Sequence, residues 1–226
     1  MVILDQSNIN HMPTLTIAKK DYKVTKGNIV KMYDKATKQE FLNGLDWYPD
    51  THNMARDLES DTHYQISTES IVGVIAALSP NNDWEKNKKD AISVLNHTLK
   101  GNYDLDDIKV STYDSNKDKA KKIINGSDIE TTLKPNKNSG MKTLNFFKCI
   151  MGDTNAVCVD GHAFHIASNR VNALDKVPSL SEKNYDIIAN EYKLATKLIN
   201  KKYNLNLIPS QVQAITWVTY KRINNK

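Results

Sequence analysis

The sequence predicts an all-α protein. Two compositional and pattern observations carry this expectation. Glycine (8) and proline (6) are scarce in 226 residues, whereas a sandwich or barrel with many tight turns needs more of both. Apolar residues also recur at i, i+3, i+4 and i+7 in several segments, which is the spacing of one helix face. Capping side chains, glycines and polar turns bound many of these segments.

Residues 1–28 show no sustained periodicity and are expected to form an arm or extension, with Leu15 and Ile17 as the one hint of a strand. Ile29 to Trp47 reads as the first helix, with Ile29, Met32, Tyr33 and Ala36 on one face. Tyr48-Pro49-Asp50 is expected to break it, and a second helix to cover Asp50 to Leu58. Thr68 to Leu78 is the clearest helix. Ser67 is its N-cap, and Ile71, Val74, Ile75 and Leu78 form its apolar stripe. Ala76 and Ala77 make it apolar nearly all round, so it is expected to be the buried central helix. Ser79-Pro80-Asn81-Asn82-Asp83 ends it, and a helix from Trp84 to Leu99 follows.

Ser115 is expected to cap a lysine-rich helix, Asn116 to Asn125, that Gly126 terminates. Its lysines, Lys117 and Lys121 among them, read most simply as a solvated face. Lys134 to Gly140 is a polar turn cluster, and Lys142 to Met151 is helical again. An apolar stretch, Asn155 to Val159, leads into a helix from Asp160 to about Val171. Ser181 caps a long helix to Lys202, and Pro209 opens the last, Ser210 to about Ile223.

Composition excludes several classes. Hydrophobic residues at 39% and charged residues at 25% fit an ordinary globular protein. There is no run of eighteen apolar residues, so no membrane span is expected. Met1 to Lys20 lacks the apolar core of a signal peptide, so a cytoplasmic protein is expected. Two cysteines, Cys149 and Cys158, are too few for a disulfide framework, a zinc ribbon or an iron–sulfur cluster, and read as small buried residues. The net charge of +5 permits nucleic-acid binding without demonstrating it. His162 and His165 beside Asp160 are an ordinary helical pattern, and no metal is expected.

Two segments carry the chemistry. Ser139-Gly140-Met141-Lys142-Thr143 is a tight turn feeding a helix, and Ala156-Val157-Cys158-Val159-Asp160-Gly161-His162 is an apolar run ending in an acid at a helix start. Lys142 and Asp160 lie eighteen residues apart. A ten-residue helix and a short return loop would bring them back side by side. Read alone, Lys142 is a surface lysine and Asp160 an N-cap. Tyr48, Trp84 and Trp217 read as core residues, or one of them as the wall of a pocket.

Here the chain resembles the helix-hairpin-helix DNA glycosylases of the endonuclease III type. Those proteins carry a Gly-x-Gly hairpin before Lys-Thr-Ala, then Val-Asp-Thr-His eighteen residues after the lysine. Gly140-Met141-Lys142-Thr143 and Val159-Asp160-Gly161-His162 repeat that spacing. Ala167-Ser168-Asn169-Arg170 is similar to the family's Cys-Asn-Arg helix, and Val74 to Asn81 to its Leu-Ser-Ala-Gln segment. Asn87-Lys88 and Asn116 to Ile123 also match in order, so the resemblance covers about 67–222. The hairpin has one of the two glycines, and the four-cysteine iron–sulfur loop is absent. Tyr48-Pro49-Asp50 and Leu78 to Trp84 also resemble segments of bacteriophage proteins, which would place the protein in a host cytoplasm.

The resemblance implies a two-lobed fold over 29–226, one lobe from about 67–151 and the other from 29–66 plus 152–226. It implies a DNA glycosylase, with or without AP lyase activity, acting on DNA as a monomer without cofactor or iron–sulfur cluster. Asp160 would stabilise the sugar cation and Lys142 would attack C1′. Gly140, Lys134 and Lys137 would hold phosphate, aided by Lys117 and Lys121, with Asn81 at the intercalating position. Trp84, His162 and Tyr48 would line the base pocket. The alternatives are an enzyme of the same fold that remodels a hypermodified base or cuts a nucleotide N-glycosidic bond, and a non-catalytic DNA-binding or counter-defence module.

Overall fold

Capping side chains set most of the helix starts. The computed structural model describes residues 13–17, 20–63, 65–136, 139–170 and 177–224. Among them, an antiparallel hairpin of β1 (Thr14–Ile17) and β2 (Lys20–Lys23) precedes ten helices. These are α1 (Lys26–Tyr33), α2 (Lys38–Asp61), α3 (Thr68–Leu78), α4 (Trp84–Leu99) and α5 (Asp114–Ile124), then α6 (Ile129–Leu133), α7 (Met141–Ile150), α8 (Gly161–Ala167), α9 (Glu182–Tyr203) and α10 (Pro209–Ile223). The protein is therefore mostly helical. No helix among the described residues is long and apolar enough to cross a membrane.

The described part of the expected N-terminal arm is packed. Leu15 pairs with Tyr22 across the hairpin, and both are buried. Tyr22 meets Phe164 edge-on at 5.1 Å, and the Arg170 guanidinium lies 4.5 Å from the Tyr22 ring. Thr25 N donates to Ala167 O. Four-residue strands leave little periodicity, and their burial comes from partners about 140 residues away, which the local pattern does not reveal.

The first long helix differs from expectation at both ends. Thr37 opens a new helix through a capping box: Glu40 N donates to Thr37 Oγ1 at 3.2 Å, and Thr37 N donates to Glu40 Oε2 at 2.8 Å. Tyr48-Pro49-Asp50 does not break α2, which runs through Pro49. Proline in a helix interior removes one backbone bond. Here burial of Gly44, Tyr48, Thr51 and Ala55 on both sides of it holds the helix together. Three smaller differences follow. Tyr113, not Ser115, is the N-cap position of α5. The five-residue α6, capped by Asp128, was too short for periodicity to signal. The helix after Asp160 ends at Ala167 with Asn169 in the left-handed region at φ 51°, and Val171 lies outside the described residues.

Two apolar clusters form the interior. One surrounds α3, whose residues from Ile71 to Leu78 are all buried, as its sequence predicts. The other gathers the hairpin, α1, α8 and α9. Helices α2 and α10 belong to both: Tyr48 and Ala214 face the first cluster, and Phe41, Leu45 and Ile215 the second. These two helices cross in backbone contact. A Cβ on Gly44 would lie 2.4 Å from Ile215 Cα and 2.5 Å from Ile215 N. Arg222 closes the same pair with a bidentate grip on Glu40, whose side chain is 9% exposed.

Gly44→Ala is expected to lower the unfolding free energy by about 1–3 kcal/mol, the usual scale of overpacking. This should hold despite the roughly 1 kcal/mol that alanine contributes through helix propensity. Urea titration of the two proteins measures it. The Arg222 hydrogen bond, working against burial, holds the Glu40 carboxyl below its ordinary 4.5. A depressed carboxylate contributes stability above its unfolded pKa and loses it as pH falls through the folded value. Glu40→Gln should therefore shrink the drop in Tm between about pH 7 and about pH 3.

Candidate active site

The turn before α7 determines where Lys142 stands. Gly140 is left-handed at φ 84°, and a Cβ there would lie 2.1 Å from Leu133 O. Glycine is therefore required for the chain to fold back on α6 and enter α7. An Asn136–Ser139 bridge closes the turn. No side chain caps α7, so its first N–H groups have no side-chain partner. Lys142 is the second residue of the helix and is exposed. Among the described residues, no carboxylate lies within ion-pair distance of its Nζ.

Asp160 is delivered by a buried extended stretch. Tyr185 Oη donates to Val157 O at 2.8 Å and accepts from Val159 N at 2.9 Å, which pins this stretch from α9. Cys158 Sγ lies 3.8 Å from Lys142 O, so the start of α7 and the entry to α8 are neighbours. Asp160 caps α8: Ala163 N donates to Oδ1 at 2.7 Å, and His162 Nδ1 lies 3.2 Å from Oδ2. Its side chain is 17% exposed. Burial raises its pKa, but the His162 contact, the Lys142 charge and the Ala163 N–H outweigh that and hold the carboxyl below the usual range. The surrounding charges thus favour the ionised carboxylate in a largely buried setting.

That carboxylate faces a cavity of about 390 Å³. Trp47 and Tyr48 of α2, Trp84 and Asn87 of α4, Lys142 and Phe146 of α7, and Gln213 and Trp217 of α10 line it with Asp160 and His162. Aromatic rings run along its wall: Trp84 to Trp47 at 5.4 Å, Trp47 to Trp217 at 4.9 Å, and Trp217 to His162 at 6.1 Å. Lys221 Nζ lies 4.4 Å from the Trp217 centroid. Tyr48 Oη donates to Gln213 Oε1 at 2.6 Å. The two thiols are inert: burial pushes Cys158 up to about 12 and Cys149 well above its ordinary value. A groove of about 380 Å³ alongside shares Lys142 and Asp160 and includes Gly140 and Ser139. A larger depression of about 620 Å³ near Pro13 has no aromatic wall, and two of its carboxylates are engaged, Glu182 by Lys134 and Glu191 by Lys26 N.

The site residues expected from sequence divide into two groups. Asp160, Lys142, Trp84, His162, Tyr48 and Asn81 line one cavity. Asn81 stands at φ 55° with its Nδ2 donating to Tyr113 Oη at 2.9 Å. Gly140 lines the adjoining groove. The lysines assigned to phosphate are elsewhere engaged. Lys117 is 14% exposed and donates to the carbonyls of Ile108 and Asp106. Lys121 pairs with Asp104 at 2.7 Å, and Lys134 with Glu182 at 2.6 Å. A run of lysines on a helix does not disclose which acidic loop will fold over it. Lys137 lies outside the described residues. His165 is buried against Tyr220.

Trp47, Asn82, Asn87 and Gln213 also line the cavity, and Tyr185 positions Asp160. No local pattern marks them, because each acts across helices far apart in sequence. The matching family model spans residues 11–225. The chain belongs to DUF7178, a family of unknown function. No curated protein and no solved structure matches this member of DUF7178.

Tyr185→Phe would leave Val159 N and Val157 O without their partner in a buried setting. It is expected to cost about 1–3 kcal/mol of stability, measured by chemical denaturation.

Proposed function

We propose that this protein is a DNA glycosylase that takes a flipped nucleotide into the aromatic cavity and cuts its N-glycosidic bond. The observation that carries the reading is the Asp160 carboxylate, kept ionised against burial at a cavity walled by Trp84, Trp47 and Trp217, with Lys142 beside it. A volume of about 390 Å³ falls at the small end of ligand pockets, which suits a nucleobase with part of its sugar. A base inside a duplex is out of reach, so such an enzyme acts on an extruded one.

The chemistry follows from charge. As the C1′–N bond breaks, the base leaves with the electron pair and positive charge develops over C1′ and the ring oxygen. A fixed carboxylate stabilises that charge most where water is excluded. Water then adds to C1′, or the Lys142 amine does so in its free form and yields a Schiff base that leads to strand cleavage. The uncapped N–H groups at the start of α7, beside Gly140, offer a phosphate-binding end to the groove.

A second reading has its own support. Lys117, Lys121 and Lys134 are all bound to protein groups, which weakens the phosphate grip on a long duplex and favours a free nucleotide as substrate. Salt separates the two. DNA binding should weaken with a log–log slope of roughly −0.9 per phosphate contacted. Absence of binding at low salt, with release of base from nucleotides, would establish the second reading.

Asp160→Asn is expected to lower base release by about 10²-fold or more while DNA affinity is kept or improved. A wild-type rate in this variant sinks the mechanism in which Asp160 stabilises the sugar cation. Lys142→Gln should abolish borohydride-trapped adducts and strand nicking. If base release continues without nicking in the native enzyme, water is the nucleophile and Lys142 faces phosphate.

A further inference from the structure

One amide on the cavity wall keeps an unused hydrogen-bonding edge. Gln213, on α10, is 4% exposed and lines the aromatic cavity. Its Oε1 accepts from the Tyr48 hydroxyl at 2.6 Å. The thiols of Cys149 and Cys158 beside Tyr48 keep their own protons, because burial pushes both up, so the hydroxyl proton goes to the amide. That fixes the amide orientation, with its oxygen toward Tyr48 and its nitrogen on the other side. Gln213 Nε2 meets no acceptor among the described residues. Asn82 Oδ1 and Asn87 Oδ1 are sealed from solvent, whereas Gln213 Nε2 keeps accessible surface. On a residue so deeply buried, that surface opens on the cavity it lines.

This edge can only donate. The amide oxygen that could have turned toward a ligand is committed to Tyr48. Lys142, from the α7 wall, also brings only N–H donors. Asp160 accepts, but its oxygens already take Ala163 N and face His162, and the mechanism above places it at C1′. A ligand N–H set against Gln213 would therefore meet donor with donor. A carbonyl oxygen suits the position, since its two lone pairs project beyond the ring edge. In adenine the ring nitrogens remote from the sugar each lie next to the exocyclic amino group, so presenting either one to Gln213 brings N–H donors alongside.

We propose that Gln213 determines base specificity by donating its Nε2 to the exocyclic carbonyl oxygen of an oxo-bearing nucleobase, while Tyr48 holds the amide in place. The inference rests on the base-binding reading of the cavity given above. Guanine carries such an oxygen at position 6 and thymine at position 4, where adenine and cytosine carry amino donors. A base without the oxygen leaves Gln213 Nε2 away from bulk water with no acceptor. A site built to hydrogen-bond a polar group rejects the analogue that lacks it far more strongly than an apolar pocket rejects a missing methylene.

Free bases test this without any glycosidic bond to cut, so the result is independent of catalysis by Asp160. Calorimetric titration of the native protein would compare hypoxanthine, which has the 6-oxo group, with adenine and with unsubstituted purine. Hypoxanthine is expected to bind roughly tenfold tighter than either, the scale of one hydrogen bond to a buried group. Equal or tighter binding of adenine or purine overturns the proposal, as does the absence of binding by all three. In Gln213→Met, folded by circular dichroism, the hypoxanthine-to-purine ratio should fall toward one, whereas a merely structural role would leave the ratio unchanged and overturn the assignment. Should that variant fail to fold, the three bases on the native protein still decide. Discrimination by a protein that releases no base from any DNA or nucleotide would remove the glycosylase reading and leave this one standing, and base release with equal affinities would do the reverse.

Discussion

The close approach of α2 and α10 at Gly44 and Ile215 is the constraint on which the rest depends. Two helices with side chains at their crossing keep their axes about 8–10 Å apart. A glycine there lets backbone meet backbone, since a Cβ would fall 2.4 Å from Ile215 Cα. Farther along the same pair, Trp47 meets Trp217 with the rings tilted by 50°, and Tyr48 reaches Gln213. The aromatic wall and the polar end of the cavity are both products of that contact. Because α2 and α10 also belong to both apolar clusters, the cavity lies where the clusters meet.

A second constraint concerns charge. Burying a carboxylate is costly unless it is paired and hydrogen-bonded. Asp160 is provided with a backbone N–H from its own helix start, an imidazole two residues on and a lysine charge from the preceding helix. The stretch that carries it is held by Tyr185 through both a donor and an acceptor. An N-cap alone would accept Ala163 N equally well at the surface. What sets Asp160 apart is that the cap faces an aromatic-walled cavity, where a partly buried ionised group acts on a neighbouring charge more strongly than it would in bulk water.

The polar lining gives the same cavity a second character. Asp90, itself buried, takes hydrogen bonds from Asn82 Nδ2, Ser111 N and Ser111 Oγ, and so ties the loop after α3 to the segment before α5. Asn81 reaches Tyr113 across the same junction. The loop that follows the central helix is therefore stiffened from behind. Preorganised polar groups on a rigid scaffold recognise a ligand with less loss of freedom on binding.

Local chemistry made much of the helical frame legible. The apolar character of Ile71 to Leu78, the caps Ser67 and Ser181, and Pro209 at a helix start each act within a turn of the chain, so their elements stand where the sequence places them. That Lys142 and Asp160 come to one cavity was also legible, because one helix and one return loop separate them. Tertiary structure decided the rest. Pro49 sits inside a helix because burial on both sides of it outweighs one missing backbone bond. Leu15 and Tyr22 form a buried hairpin because α8 lies beneath them. Lys117 and Lys121 face an acidic loop rather than solvent because residues 104–108 fold back on α5. Trp47, Asn87 and Gln213 become one wall because three helices distant in sequence converge. Caps and periodicity are short-range and leave a local mark, whereas a cavity is made by long-range packing, which no single segment encodes.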